Sequence, residues 1–230
     1  MTTLAGVDGC RAGWYVVAER DGAFGGHVAA TFAAVLMLDV GFVAVDIPIG
    51  LVDAGARACD LTARRALQPN RGSSVFPAPI RAVLSAASHA EASDIRARVE
   101  GKRVSVQAFH ITAKIAEVDR ILRGDPAGMA RVREVHPEVS FAQMNGGEAL
   151  ADSKKTAAGR TERIDLLAPH FGDAPARLLA DRPKAAVAAD DVLDAFAALW
   201  TARRVAAGTA HSLPEAPPHD RHGLPMAIWV

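Results

Sequence analysis

The chain is poor in cysteine and in aromatic residues. It holds two cysteines, Cys10 and Cys59, and neither lies in a CxxC pair or at zinc-ligand spacing from another cysteine or a histidine. A zinc site of that kind is not indicated, and free thiols in a reducing compartment are favoured. Aromatic residues make up 5% of the chain and form no evident stacking surface for single strands. The sequence therefore does not predict base-specific recognition.

An excess of charge of either sign is also absent. Lys+Arg and Asp+Glu both number 26, so the formal net charge is zero. Proteins dedicated to nucleic-acid binding usually carry a basic surplus, and the bulk charge gives no support for such a partner. A basic groove has to be identified residue by residue.

Long apolar runs are missing as well. No stretch reaches the roughly 18–20 apolar residues that cross a bilayer. No basic segment followed by an apolar one precedes the first strand-like run, so no signal peptide is evident. We therefore expect a cytoplasmic protein that does not enter a membrane; the sequence does not indicate its oligomeric state.

What is present is the composition of an ordinary globular protein. Half of the residues are hydrophobic and 23% are charged. A length of 230 residues suffices for one sizeable core and is marginal for two domains. There is no internal repeat and no low-complexity linker. We predict a single domain over residues 1–230 with an insertion at about 51–130.

The first part of the chain reads mainly as strands. The predicted elements are two strands within 3–20, a third at 23–30, a helix at 31–39 capped by Thr31, and a strand at 41–50. The run at 41–50 is continuously apolar, which is typical of a strand buried on both faces in a parallel or mixed sheet. Residues 51–90 contain Pro69, Pro77 and Pro79 and are predicted as an irregular ordered segment or a lid.

The second part reads mainly as helices. The predictions are helices at 104–123, 153–172 and 190–208, a strand at 132–141 and a short edge strand in 224–230. Gly124, Asp125 and Pro126 end the first of these helices, and Ser153 is the predicted cap of the second. Pro137 interrupts or ends the strand.

Five acidic residues occur at the ends of these elements or on one helix face. They are Asp8 in LAGVDGCRAGW, Asp46 at the end of FVAVD, Glu138 in EVHPEVSF, and Asp191 and Asp194 in DDVLDAFAALW. The element order allows Asp8 and Asp46 to lie on adjacent strands. The spacing of Asp191 and Asp194 places both on one face of a helix that can point back at the strands.

Such a set of carboxylates predicts a divalent cation. A carboxylate at the end of a buried strand is costly unless its charge is compensated, and Mg²⁺ or Mn²⁺ prefers oxygen ligands. Two ions about 4 Å apart can activate water and stabilise a leaving oxygen. The predicted metal ligands are Asp8, Asp46, Asp191 and Asp194, and Glu138 completes the predicted catalytic set.

Each acid alone has a structural alternative. Asp8 before Gly9 is a common turn residue, and Asp46 before Ile47-Pro48 can simply start a loop. The start of the last helix needs a capping acid, which we assign to Asp190.

Asp194 lies one turn further along, on an otherwise apolar face, where capping does not account for it. Glu138 is predicted to face the same way as His136 on an alternating strand, as a further ligand or as the group that orients water. His136 can alternatively satisfy its own hydrogen bonds within the strand.

Basic residues near two loops are candidates for binding substrate phosphate. Arg71 and Arg81 flank the hydroxyls of Ser73 and Ser74. The second group, at a helix N-terminus where backbone N–H groups favour anions, consists of Lys154, Lys155, Arg160 and Arg163. Of these, Arg71, Lys154, Lys155 and Arg160 are the predicted phosphate contacts, and Lys114 can reach the same site. The alternative is a solvated charged face, since Glu162 and Asp165 are interleaved.

The motifs around these residues resemble the domain-of-unknown-function 429 family, which is described as predicted ribonuclease H-like nucleases. The resemblance covers nearly the whole chain and rests on GVDGCRAGW, DIPIGL, RACDLTAR, RGSSVFPAPIRAVL, QAFHITAKIAEVD, EVHPEVSFAQMNGG, SKKTAAGRTERIDLL, DDVLDAFAALWTA and GLPMAIWV. It implies an α/β protein with the ribonuclease H-like fold, a five-stranded mixed sheet flanked by helices whose second strand is antiparallel.

The resemblance also suggests roles for the acids. DVLD looks like the acidic pair of Holliday-junction resolvases, Asp8 matches the first-strand Asp of the superfamily, and Asp46 stands where a Glu is more usual. The implied function is a Mg²⁺- or Mn²⁺-dependent nuclease that hydrolyses phosphodiester bonds in DNA or RNA.

Two other classes of function stay open at this point. One is a non-catalytic metal- or nucleotide-binding regulatory module with the same fold. The other is a nucleotide-dependent phosphotransferase, because actin-like and sugar-kinase folds use a similar Asp-Gly hairpin. Those proteins clamp ATP between two such domains, whereas this chain has one hairpin of that kind.

Overall fold

The centre of the molecule is a five-stranded mixed sheet, seen in a computed structural model that describes residues 3–230. Strands β1 to β5 are Leu4–Cys10, Gly13–Arg20, Ala23–Ala29, Phe42–Val45 and Val132–Glu134. Their order across the sheet is β3-β2-β1-β4-β5. Strand β2 is antiparallel to β1 and β3, whereas β1, β4 and β5 run parallel to one another. The predicted α/β class and the antiparallel second strand are confirmed.

Helices flank this sheet. The α-helices within residues 3–230, α1 to α10, are Phe32–Leu36, Ala58–Ala66, His89–Glu100, Val106–His110, Thr112–Gly124, Pro126–Arg131, Pro137–Met144, Ala157–Phe171, Ala174–Asp181 and Ala189–Ala206. Two 3₁₀ turns lie at Gly72–Ser74 and Arg81–Ser85. None of the helices in this described part of the chain has the length and apolar character required to cross a bilayer.

Both faces of β1 are buried, as the apolar run of its neighbour β4 indicated. Ala5 and Val7 pack in the core that α1 and α5 cover, whereas Leu4 and Cys10 join the core formed with α10. This alternation follows from the two-residue period of a strand. Asp8 therefore lies on the α10 face.

Gly6 allows α10 to lie directly against β1. A Cβ atom at Gly6 would be 2.0 Å from the carbonyl oxygen of Ala195 and 2.2 Å from the backbone nitrogen of Leu199. Any larger residue would push the helix away from the sheet. Asp8 follows Gly6 on the same face, and Asp194 precedes Ala195 on the helix, so this close approach brings the two acids towards each other.

The strand predicted at 41–50 is shorter than expected. Strand β4 ends at Val45, and the backbone N–H of Asp46 still donates to the Val7 carbonyl at 3.0 Å. Pro48 has no N–H to continue the ladder. The predicted helix at 31–39 is α1, and the Thr31 hydroxyl caps it by accepting from Ala34 N at 3.2 Å.

The insertion is more helical than the sequence indicated. Residues 51–90 include α2, and the helix predicted at 104–123 is two helices, α4 and α5, which meet at Ile111. The end of α5 at Gly124 agrees with the prediction. Asp125 does not continue the helix; its side chain accepts from Gly128 N at 2.9 Å and caps α6.

The strand predicted at 132–141 is wrong beyond Glu134. Helix α7 begins at Pro137, because proline suits the first helical position, where its missing N–H is not needed. Glu138 lies in the first turn, where the helix dipole favours an acid. It does not alternate with His136 along a strand.

The predicted Ser153 cap is also wrong. Thr156 caps α8 by accepting from Gly159 N at 3.0 Å, so the helix starts at Ala157. A Cβ at Gly159 would lie 2.1 Å from the Ser153 carbonyl oxygen. This glycine therefore lets the loop of residues 153–155 fold over the start of the helix.

The C-terminal tail joins the insertion to the sheet. Strands β6 and β7, Ser212–Leu213 and Ile228–Trp229, form a separate antiparallel pair, so the predicted edge strand at 224–230 pairs mainly outside the central sheet. The buried carboxylate of Asp220 accepts from Leu51 N at 3.1 Å and forms an ion pair with Arg81. Arg81 also pairs with Asp119 of α5 at 2.9 Å. These contacts fix the insertion against the tail.

Candidate functional site

A cavity of about 510 Å³ lies at the carboxyl ends of β1 and β4. Separate stretches of the chain line it. They contribute Asp8 and Asp46 from the sheet, His136 and Glu138 at the start of α7, Lys154 and Lys155 from the loop before α8, and Arg71, Phe76 and Lys114 from the insertion. Most of the residues selected from the sequence are thus brought together.

Asp8 and Asp46 lie side by side because β1 and β4 are parallel and pair Val7 with Val45. Burial raises the pKa of Asp8 well above its usual value, and the charges of Asp46 and Asp194 raise it further. Burial, followed by the charge of Asp194, raises the pKa of Asp46 to about 7. These carboxylates are therefore costly to ionise together without a neighbouring cation.

Asp194 of α10 is 1% exposed and, unlike Asp8 and Asp46, is not part of the cavity lining. Its Oδ2 accepts a hydrogen bond from Lys154 Nζ at 2.5 Å. Its Oδ1 is buried and has no hydrogen-bond partner among the described residues. Burial raises the pKa of Asp194 although Lys154 opposes this. An unsatisfied buried oxygen is expensive, so this carboxylate has spare ligand capacity.

Lys154 is the cation that compensates these acids in the structure. Burial disfavours its charge, but the carboxylates of Asp194 and Asp8 raise its pKa above the usual value. The sequence predicted Lys154 as a phosphate contact. The structure shows that its ammonium group is engaged with the acids.

Glu138 and His136 each have one buried atom without a partner among residues 3–230. Glu138 Oε1 accepts from the fully buried Arg163 at 2.6 Å, whereas Oε2 is unpartnered. His136 Nε2 lies 3.4 Å from the Ser74 carbonyl. A carbonyl can only accept, so Nε2 carries the hydrogen and Nδ1 is a free lone pair. Burial lowers the pKa of His136, which favours this neutral form.

The capping contact predicted for Asp190 is made by Asp191. Helix α10 starts at Ala189, and Asp191 Oδ2 accepts from the backbone N–H of Ala188 at 2.8 Å. The third helical position is the one whose side chain reaches back to the N-cap amide. Asp190 instead accepts from Lys155 Nζ at 3.2 Å. The charge of Asp191 contributes to the raised pKa of Asp8, after burial and the charges of Asp46 and Asp194, but Asp191 is not part of the cavity lining.

The predicted phosphate contacts differ in position. Lys155 lines the cavity, and its side chain is 76% exposed. Arg71 lines it too, but its guanidinium donates to the carbonyls of Leu150 and Ala151 at 2.9 and 3.1 Å. It therefore stabilises the chain just before the loop that carries Lys154 and Lys155. Arg160 lies in the first turn of α8 and is not part of the lining.

Lys114 reaches the cavity, as the sequence suggested. Its Nζ donates to the Gly13 carbonyl at 2.5 Å and lies 4.6 Å from the centre of the Trp14 ring. A Cβ at Gly9 would lie 3.0 Å from Lys114 Cδ, so the glycine leaves room for the lysine stem. A second positive charge is therefore held next to the carboxyl end of β1.

A different acidic cluster behaves as a structural one. Within the described residues, a set of three ligand atoms mutually within 4.8 Å is formed by Cys59, Asp60 and Glu134, and the cavity acids form no such set. The buried Arg57 fills this cluster, donating to Asp60 at 2.5 and 3.2 Å and to Glu134 at 2.7 and 2.8 Å. An arginine already neutralises it. At the cavity, Arg163 pairs with Glu138, whereas no arginine within residues 3–230 pairs with Asp8, Asp46 or Asp194.

The Arg57 cluster also holds the loop that follows Asp46. Arg57 donates to the carbonyls of Ile49 and Gly50 at 3.1 and 3.3 Å, and Glu134 accepts from Ile49 N at 2.7 Å. Burial disfavours the charge of Arg57, but Glu134 and Asp60 raise its pKa above the usual value. Sequence reasoning did not find Arg57, because its partner Glu134 is distant in the chain.

Comparison with known proteins gives one family match. A family model described as "Protein of unknown function (DUF429)" matches residues 6–219, a range that contains all of the candidate site residues. Neither the curated proteins nor the solved structures contain a match.

Proposed function

Because the chain belongs to the DUF429 family, whose function is unknown, we propose from its own residues that it is a divalent-metal-dependent nuclease of the ribonuclease H-like superfamily. The proposal rests on one observation: Asp8 and Asp46, from two parallel strands, line one cavity, and Asp194 of the last long helix is hydrogen-bonded to Lys154, which lines the same cavity. The strand order β3-β2-β1-β4-β5 and the position of α10 against β1 support the superfamily assignment.

The donor set fits a hard divalent cation. Asp194 Oδ1 and Glu138 Oε2 are buried oxygens without partners among residues 3–230, and the pKa values of Asp8 and Asp46 are raised by burial and by neighbouring negative charge. Carboxylate oxygens are the preferred ligands of Mg²⁺ and Mn²⁺. No three of the cavity acids within residues 3–230 have ligand atoms mutually within 4.8 Å, so a shared ion would draw these carboxylates closer together. Lys154 occupies Oδ2 of Asp194, and an ion bound there would compete with it.

The chain's own residues divide into two groups in this proposal. Asp8, Asp46 and Asp194 hold the metal, with Asp191 at the edge and Glu138 fixed by Arg163. When bound, such ions activate water and neutralise charge on the phosphodiester. Lys154, once released, and the exposed Lys155 bind the phosphate of a DNA or RNA substrate.

Hydrolysis assays test this function. Purified protein is incubated with single-stranded and double-stranded DNA, RNA, hybrid and branched substrates, with Mg²⁺ or Mn²⁺. Asp8→Asn and Asp194→Asn should abolish cleavage, whereas Asp39→Asn, a change at a side chain that is 98% exposed, should not. Cleavage that persists in both site variants would come from another site or a contaminant and would remove the proposal.

The alternative function is a non-catalytic metal-binding module, which we would infer if no substrate is cleaved. In that case Mn²⁺ would raise the melting temperature by mass action while no phosphodiester is hydrolysed. The unpartnered oxygens of Asp194 and Glu138 account for metal binding in either case. Hydrolysis therefore separates the two functions.

A further inference from the structure

Phe76 is an exposed aromatic side chain at the cavity. Large hydrophobic side chains that are exposed within residues 3–230 are Met37, Leu61, Phe76, Val99 and Val106. Phe76 is the aromatic one among them and the one that lines the cavity. It is 52% exposed, so its ring adds little to the stability of the fold.

The chain on both sides of Phe76 is fixed. Val75 is 2% exposed and Ala78 is 5% exposed, and the Ala78 N–H donates to Asp60 at 3.0 Å. Ser74 accepts at its carbonyl from His136. The segment therefore holds the Phe76 ring at the cavity, where a rigid aromatic surface is available to a ligand.

The cavity combines this ring with other apolar side chains and with charge. Ile47, Pro48 and Ile111 line it together with Phe76, while Lys154 and Lys155 line it near the acids. A ligand that matches these groups has a flat apolar part and an anionic part. A nucleotide has both, in its base and its phosphate.

The size of the cavity restricts how a nucleic acid can enter. A volume of about 510 Å³ is that of a pocket for a small molecule, about 300–1,000 Å³. A base inside a duplex is stacked and paired, and enzymes that take up single bases in such pockets require the base to leave the helix. The insertion contributes Arg71, Phe76, Ile111 and Lys114 to the lining, so it bounds the space beside the sheet end.

We propose that Phe76 is a base-stacking surface and that the site takes an unpaired nucleotide, within a single strand or at a frayed end, with its phosphate towards the acids and Lys154. This inference rests on the proposed function and gives it a substrate class. The ring face binds any base, because stacking needs no hydrogen-bond recognition. The site therefore selects unpaired over paired nucleic acid and does not select sequence.

Fluorescence of 2-aminopurine tests the stacking directly. The probe is a short single-stranded oligodeoxynucleotide with phosphorothioate linkages and one 2-aminopurine, titrated with protein in Mn²⁺. Wild-type protein should quench the fluorescence. Phe76→Ala should weaken binding by about 5- to 150-fold, the loss of one base–aromatic stack, and Phe76→Trp should retain it. Val106→Ala, at a 55% exposed side chain outside the cavity, is the matched control and should bind as wild type.

The same titration with the probe annealed to its complement provides the second comparison. Binding of the duplex should be at least about tenfold weaker, since its bases are not available for stacking. Three results would each overturn the inference. They are equal affinity of Phe76→Ala and wild type for the probe, binding of the duplex as tightly as the single strand, and absence of any binding.

Failure of the inference and failure of the proposed function give different results. If only duplex is hydrolysed, the proposed nuclease function stands and the proposed stacking role of Phe76 is wrong. If quenching depends on Phe76 but no substrate is hydrolysed, the stacking role of Phe76 stands and the proposed nuclease function is wrong. Melting temperatures of all variants establish that each one is folded.

Discussion

The ammonium nitrogen of Lys154 lies 2.5 Å from Oδ2 of Asp194, which is 1% exposed on α10. Lys154 lies in the loop before α8, and its side chain is partly exposed, whereas Asp194 is buried in α10. In a metal-free protein this pair neutralises part of the acidic group. A divalent cation that binds the same acids must compete with Lys154.

Replacement of Lys154 by methionine should make the protein more dependent on metal. Asp194 would lose its charged partner, and we expect the metal-free protein to be less stable by about 1–3 kcal/mol. The rise in melting temperature produced by Mn²⁺ should become larger, because no ammonium competes. Lys155→Met, at a 76% exposed side chain, should change neither value much. A smaller Mn²⁺ effect in Lys154→Met would contradict the competition.

The pH dependence of stability should follow the ionisation of Asp46. Its pKa is about 7 in the folded protein, because burial and Asp194 disfavour its charge. A carboxyl whose pKa is raised by folding favours the folded state at low pH, and this contribution is lost as the pH rises through the folded pKa. Relative to Asp46→Asn, the metal-free wild type should therefore be more stable at about pH 5 than at about pH 8.

Thermal unfolding in EDTA at the two pH values measures this difference. Mn²⁺ should raise the melting temperature more at the higher pH, since metal ligands must lose their protons. If the stability difference between wild type and Asp46→Asn is the same at both pH values, the raised pKa is refuted.

The close approach of α10 to β1 predicts a strong effect at Gly6. A methyl group there would lie 2.0 Å from the Ala195 carbonyl oxygen, so Gly6→Ala must displace a helix backbone. We expect a loss of about 3 kcal/mol or more in the free energy of unfolding, at or beyond the usual range for overpacking. Gly25→Ala, in β3 with no atom within 4 Å of the new methyl, should change it by less than about 1 kcal/mol. Urea denaturation compares the two.

Arg57 should be necessary for stability. Its removal in Arg57→Ala leaves the buried carboxylates of Asp60 and Glu134 without a charged partner, which should cost about 3–5 kcal/mol. The exposed pair of Arg221 and Asp53 is the control, and Arg221→Ala should cost about 0–1 kcal/mol. Equal unfolding midpoints for both variants would show that the Arg57 cluster is not structural.

Much of the sheet could be predicted from the sequence because its signals are local. The apolar run before Asp46 and the Thr31 cap each involve neighbouring residues, and each has the expected place in the structure. The position of Asp194 also followed from a local rule, since neither capping nor solvation explains an acid on an apolar helix face. Its burial agrees with that expectation.

The sequence predictions are wrong where long-range contacts, or the exact residue at which a helix begins, determine the structure. Glu138 was placed on a strand, although a proline followed by an acid is also a helix start, and that signal was available. Helix α10 begins at Ala189, one residue before the predicted start, so Asp191 and not Asp190 makes the capping contact. Asp190 pairs with Lys155 instead. Phe76 lies in a proline-rich segment without periodicity, so its position at the cavity depends on tertiary packing.

The contact between Asp220 and Arg81 has a consequence for protein engineering. The insertion supplies part of the cavity lining, including Arg71, Phe76 and Lys114. It is held by the carboxylate of Asp220, in the C-terminal tail, which pairs with Arg81 and accepts from Leu51 N. Transplanting the insertion into another member of the family would therefore fail to reproduce this cavity unless the tail were transferred with it. The two segments are distant in sequence and behave as one exchangeable unit.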